Sequence, residues 1–171
     1  MNLTPRWRKT VLTLHVITAV GWLGSDLVLL TLAAAGLAGY RPEVVYPAMG
    51  FVGLAVFVPL SVAVWLIGVV NAWTTPWGLL RHWWVIVKLI LTTAMLVAVF
   101  FALRPGLESA LAEGAALDQQ ERIGLMFPPV VSTSVLVFAT VISTFKPWGR
   151  TRRATPDRPA RTLVRSGAVG S

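Results

Sequence analysis

The chain has 171 residues, no cysteine, two histidines and a formal net charge of +8. Hydrophobic residues make up 56% and charged residues 13%, with a mean hydropathy of +0.71, about half the charge of an ordinary soluble domain. The missing cysteine excludes disulfides, thiolate metal sites and thiol catalysis. The positive charge does not point to nucleic acid, because Arg6, Arg8, Lys9, Arg81 and the run Lys146 to Arg165 would all lie on one side of a four-span protein.

Met1 to Lys9 is a basic leader, followed by an apolar run from Thr10 to Ala38. A signal peptide is the competing reading. The run is longer than a typical signal core of about 7–15 residues, contains Asp26 and is long enough to cross a bilayer. Gly39 to Pro47 reads as a short outer loop. Span two runs from about Ala48 to Trp73, with Pro59 expected to release the carbonyl of Ala55 and kink the helix. Gly50, Gly53 and Gly68 allow close helix contact. Thr74 to Gly78 is the inner turn.

Span three is expected over Leu79 to Leu103, opening with Arg81, His82, Trp83 and Trp84 as a basic and aromatic belt. Arg104 to Glu121 reads as the longest loop, acidic and outward, with part of it a short surface helix. Span four runs from about Ile123 to Phe145, with Pro128 and Pro129 starting it or kinking its outer end. The transmembrane domain is therefore 1–147. Residues 148–171, rich in Arg, Pro, Thr and Gly, read as a disordered basic tail. Near anionic lipid each basic residue there is worth about 1 kcal/mol. The fold expected is all-α, a four-helix transmembrane bundle with both termini cytoplasmic. The two halves differ in charge and proline position, so an inverted repeat gains no support.

The polar residues inside the spans carry the functional signal. His15, Ala19, Trp22 and Asp26 share one face of span one. An intramembrane acid costs about 3 kcal/mol unless neutralised or paired, so this face should point into the bundle. In span three Arg81, Val85, Lys88 and Thr92 share a face, and Trp84 lies one turn from Lys88, within reach of a cation–π contact. Lys88, about nine residues past Leu79, should lie roughly 13 Å along the helix unless it snorkels. His15, Asn71 and His82 are expected at one inner level, with Lys88 a little deeper. The hydroxyls of span four, Ser132, Thr133, Thr140, Ser143 and Thr144, read as ordinary backbone-bonded side chains.

Several chemistries fit that cluster. A b-type haem would take His15 and His82 as axial ligands, with tryptophans burying the ring. Copper or zinc is disfavoured, because Met49, Met95 and Met126 and the carboxylates lie away from the histidine level. A proton or ion pathway would use Asp26 and Lys88, and an Asp26–Lys88 ion pair is its structural counterpart. Alternatively the bundle is a non-catalytic module that binds a partner subunit, a second copy of itself, a lipid or a small molecule. No Ser/His/Asp set, glycine-rich phosphate loop or H-E-x-x-H helix is present.

The segments LTLHVITAVGWLGSDLVLLTLAAAGL, TTPWGLLRHWWVIVKLILTT and ISTFKPWG resemble a family of small four-span membrane proteins of unknown function from actinobacteria. The resemblance covers Leu12 to about Gly149 and is most specific in TPWGLLRHWWV-VK. It implies a bacterial plasma-membrane protein with four helices, and no activity that can be carried to a residue. The L-H-V and W-L-G pattern of span one is also faintly similar to copper-resistance membrane domains of the CopD type, but this chain is shorter and lacks their further ligand-like positions.

Overall fold

The structure is a computed structural model, and it describes residues 4–74 and 82–145. The basic tail, the inner turn after Thr74 and Arg81 lie outside the described residues. Four long helices account for nearly all of the rest: α1 (Pro5–Leu37), α2 (Pro42–Thr74), α3 (Trp83–Ala116) and α4 (Gln119–Phe145). Each is long and apolar enough to cross a membrane.

The helices reach beyond the predicted spans. α2 begins at Pro42, inside the expected outer loop, because Pro42 supplies a preset φ and Glu43 suits the first turn. The segment expected as the longest loop is mostly helix. α3 continues through Arg104–Glu113 to Ala116, since Leu103, Leu107 and Ala110 recur at helical spacing and are all buried. Arg104 and Glu108 pair one turn apart at 2.9 Å on its exposed side. Only Leu117 and Asp118 separate α3 from α4. There Asp118 and Glu121 exchange backbone-to-carboxylate bonds of 2.9 and 2.7 Å, a reciprocal cap that starts α4. At the other end α3 begins at Trp83, and His82 is its extended N-cap residue (φ −136°, ψ 132°) rather than a residue within the helix.

Each helix packs against the next in sequence, and α4 returns to α1. Successive helices run antiparallel, joined by short turns at 38–41 and 117–118 at what is here called the distal end. The helix ends at Pro5, Thr74, Trp83 and Phe145 lie together at the opposite, proximal end. The cross-bundle pairs fix the register. From distal to proximal, Gly36 faces Tyr46, Trp22 meets Phe57 at 6.0 Å between ring centroids, Gly21 faces Leu60 and Gly68 faces His15. The Trp65 indole donates to Thr93 at 3.0 Å.

Both proline-bearing middle helices widen at a single π-helical turn. In α2 it spans Gly53–Phe57, where the Val58 N–H bonds the Gly53 carbonyl, and Pro59 follows. In α3 it spans Val99–Leu103, where the Arg104 N–H bonds the Val99 carbonyl, and Pro105 follows. A proline ring clashes with the carbonyl four residues back, and the wider turn makes room for it without leaving the helix. The disturbance expected at Pro59 therefore takes the form of a π turn.

The core is a column of Trp22, Leu29, Ala33, Tyr46, Met49, Phe57, Leu103, Leu107 and Ala110. It is narrow. Between 11% and 28% of the most apolar stretch of each helix is buried within the bundle. Large apolar side chains such as Ile17, Val20, Phe51, Ile90, Phe101 and Phe138 face outward. A water-soluble monomer does not expose apolar surface on this scale, whereas lipid covers it at no cost.

Candidate functional site

The α1 stripe faces inward as its spacing requires. Trp22 and Asp26 are buried, and the stripe continues through Leu29, Ala33 and Gly36. Two polar layers lie along it.

The deeper layer centres on Asp26, which is 0% exposed. The Ser132 hydroxyl lies 2.6 and 2.7 Å from its two carboxylate oxygens, and the Thr133 hydroxyl donates to one of them at 2.6 Å. Ser132 also lies 3.3 Å from the Pro129 carbonyl. These two hydroxyls read as inert in the sequence. They reach the carboxylate because Ser132 belongs to the buried face of α4 with Leu125, Pro129 and Ala139. The recurrence of 125, 129, 132 and 139 at steps of four, three and seven residues, all on one helix face, is the signal that could have found Ser132.

The proximal layer draws on all four helices. His15 of α1 packs against α2 at Gly68, where a Cβ would come within 3.1 Å of the imidazole. Asn71 is one turn further along α2. From α3, the Lys88 ammonium donates to Ser143 of α4 at 2.9 Å, and Ser143 in turn donates to the Ala139 carbonyl. Lys88 lies close enough to His15 for the two to interact electrostatically. The His15 Nδ1 and the Asn71 Oδ1 are buried without a hydrogen-bond partner.

Several expectations change here. Asp26 and Lys88 do not pair: the carboxylate is held by Ser132 and Thr133, and the ammonium by Ser143, eleven residues along α4 or about 16 Å away. The cation–π contact among the described residues is Arg122 over Tyr46, 5.5 Å from the ring centroid. The Trp84 ring instead lies 6.5 Å from that of His82. Lys88 is shallower than expected, five residues into α3 or about 7 Å, because the helix starts at Trp83. His82 is buried, but the register sets it level with the first turn of α1, about 13 Å nearer the proximal end than His15. Trp22 packs on Phe57 with its indole N–H unpartnered.

A cavity of about 210 Å³ lies elsewhere, between α3 and α4 at the distal end, lined by Leu103, Gly106, Leu125 and Pro128 among others. Its single titratable lining group, Glu121, is already engaged in the cap of α4.

The fold and the two internal polar layers define a class: an all-helical bundle with four helices able to span a bilayer, built as a polytopic membrane protein is. Comparison with known proteins adds no narrower identity, since no protein family, curated protein or solved structure matches the chain.

Proposed function

We propose that the protein is a non-catalytic polytopic membrane module whose proximal layer holds an anionic group, from a lipid or a small solute, within the bundle. The observation that supports this most directly is the buried, unpartnered His15 Nδ1, in the same layer as the Lys88 ammonium. Buried polar atoms are nearly always satisfied, so the unpartnered imidazole nitrogen marks a place where a ligand or bound water completes the bonding, while the Asn71 Oδ1, an acceptor, takes a proton from a water or a ligand hydroxyl. An ammonium has three protons to donate, and Lys88 gives one to Ser143. Among the described residues the nearest acid along the bundle is Asp26, already held in the deeper layer. An external anion supplies the missing acceptor. The positions of the basic residues further support an orientation with both termini cytoplasmic, which puts this layer toward the inner leaflet.

Native mass spectrometry of the detergent-purified protein tests this reading. The wild type should retain a phosphate- or carboxylate-bearing species. Lys88→Gln should lose it, and Lys9→Gln, at the exposed start of α1, should keep it. The mass distinguishes a lipid from a solute. A wild type that carries no such species, or a Lys88→Gln protein that carries it equally, refutes the proposal.

The haem alternative keeps a simple test, a Soret band removed by His15→Ala or His82→Ala. The geometry lends it little support. An iron-binding imidazole usually donates its second ring nitrogen to an acceptor, and the His15 Nδ1 has none.

A further inference from the structure

A charged carboxylate near the middle of a membrane needs a countercharge, and this chain does not provide Asp26 with one from its described residues. Asp26 is 0% exposed. The basic groups engaging α4 are occupied at a distance. Lys88 bonds Ser143, about 16 Å toward the proximal end. Arg122 donates to the Leu117 and Ala115 carbonyls at 2.9 and 2.6 Å, about 15 Å toward the distal end. On α1, His15 lies about 16 Å below Asp26 and packs on Gly68.

What does surround Asp26 is oxygen: its own two carboxylate oxygens, Ser132 Oγ, Thr133 Oγ1 and, beyond Ser132, the Pro129 carbonyl. Hard oxygen ligands suit hard cations, and a single negative charge balances a single positive one. We propose that Asp26, Ser132 and Thr133 form a monovalent-cation site near the middle of the bundle, occupied by Na⁺ or by a proton.

The helix geometry at this level is a second observation, beside the room each π turn makes for the proline that follows it. Followed through the register, Asp26 is level with the π turn of α2 and with that of α3, while α4 carries Pro128 and Pro129 just above Ser132. The π turn of α2 packs on α1, and that of α3 packs on α4, so both flank the two helices that hold the carboxylate. Two of the three helices packed around Asp26 thus carry a π turn at its level, and π turns inside α-helices are frequent at functional sites. Ser132 can serve either occupant. It can donate to the carboxylate, or turn its proton to the Pro129 carbonyl and present a lone pair.

The two occupants are told apart in one set of measurements on the full-length protein. Thermal unfolding is followed in NaCl and in choline chloride at equal ionic strength, alongside infrared spectra of wild type and Asp26→Asn. A Na⁺ occupant gives a melting temperature that rises with NaCl but not with choline chloride. That rise is lost in Asp26→Asn and weakened at least tenfold in apparent affinity in Thr133→Val, which keeps the carboxylate and the side-chain volume. A proton occupant gives no Na⁺ response, but a carboxylic-acid C=O band that Asp26→Asn removes and Thr133→Val shifts. If Asp26→Asn fails to fold, Thr133→Val reads both signals alone. No Na⁺ response together with an ionised carboxylate band for Asp26 overturns the proposal.

Discussion

The distal halves of α2 and α3 approach backbone to backbone at Gly50. A Cβ placed there would lie 2.6 Å from the Leu107 carbonyl oxygen, 2.6 Å from the Leu111 nitrogen and 2.7 Å from the Leu111 Cβ. Two of those atoms are backbone and cannot rotate away, so Gly50→Ala must separate the helices by roughly 1 Å to restore ordinary contact. Overpacking of this kind costs about 1–3 kcal/mol, and rigid neighbours put it at the upper end. Alanine returns about 1 kcal/mol in helix propensity, leaving a net loss of about 2 kcal/mol. For a chain of this length that lowers the melting temperature by about 4–8 °C. Gly24→Ala is the control, because a Cβ there meets nothing within 4 Å. It should be neutral or stabilising by up to about 1 kcal/mol. Tryptophan fluorescence during thermal unfolding in detergent reads both. If Gly50→Ala melts with or above the wild type, segment 104–113 does not pack on α2 as a helix, and the reasoning fails.

Two further outcomes are expected. Tyr46 is fully buried with its hydroxyl unpartnered, while Arg122 sits over its ring. Tyr46→Phe keeps the ring contact and removes an unsatisfied hydroxyl, so stability should hold or rise by about 1 kcal/mol, and a loss of that size in the same melt would show that the hydroxyl has a partner. The chain has no native cysteine, so single introduced thiols report sidedness cleanly. In intact cells Glu43→Cys and Asp118→Cys should react with a membrane-impermeant maleimide and Thr10→Cys should not; the reverse pattern would invert the proposed orientation.

The helical class and the inward stripe of α1 were legible because both rest on one-dimensional patterns. Apolar length marks a span, and the steps between His15, Ala19, Trp22 and Asp26 mark a face. The distal cap is helix rather than the loop its charges suggest. Arg104 and Glu108 are a helical pair, Asp118 and Glu121 a helix cap, and Leu103, Leu107 and Ala110 a buried stripe, so the same residues argue for helix once the period is counted. The partners of Asp26 and Lys88 were out of reach for a different reason. Which of the six span-four hydroxyls meets a buried charge depends on the relative register of α1, α3 and α4, and no local pattern encodes that. His82 lies lower than the sequence suggests because α3 begins at Trp83, four residues after Leu79, which shifts every depth measured along it.

One consequence of the long α3 concerns mechanics. Its 34 residues make a rod of about 51 Å, well beyond the roughly 30 Å of hydrocarbon. It carries the Lys88 ammonium at one extremity and the Leu107–Leu111 surface clasping Gly50 at the other, with no hinge loop between them. The distal clasp and Lys88 therefore belong to one continuous helix, and the widened turn at Val99–Leu103 stands between them at the height of the buried carboxylate.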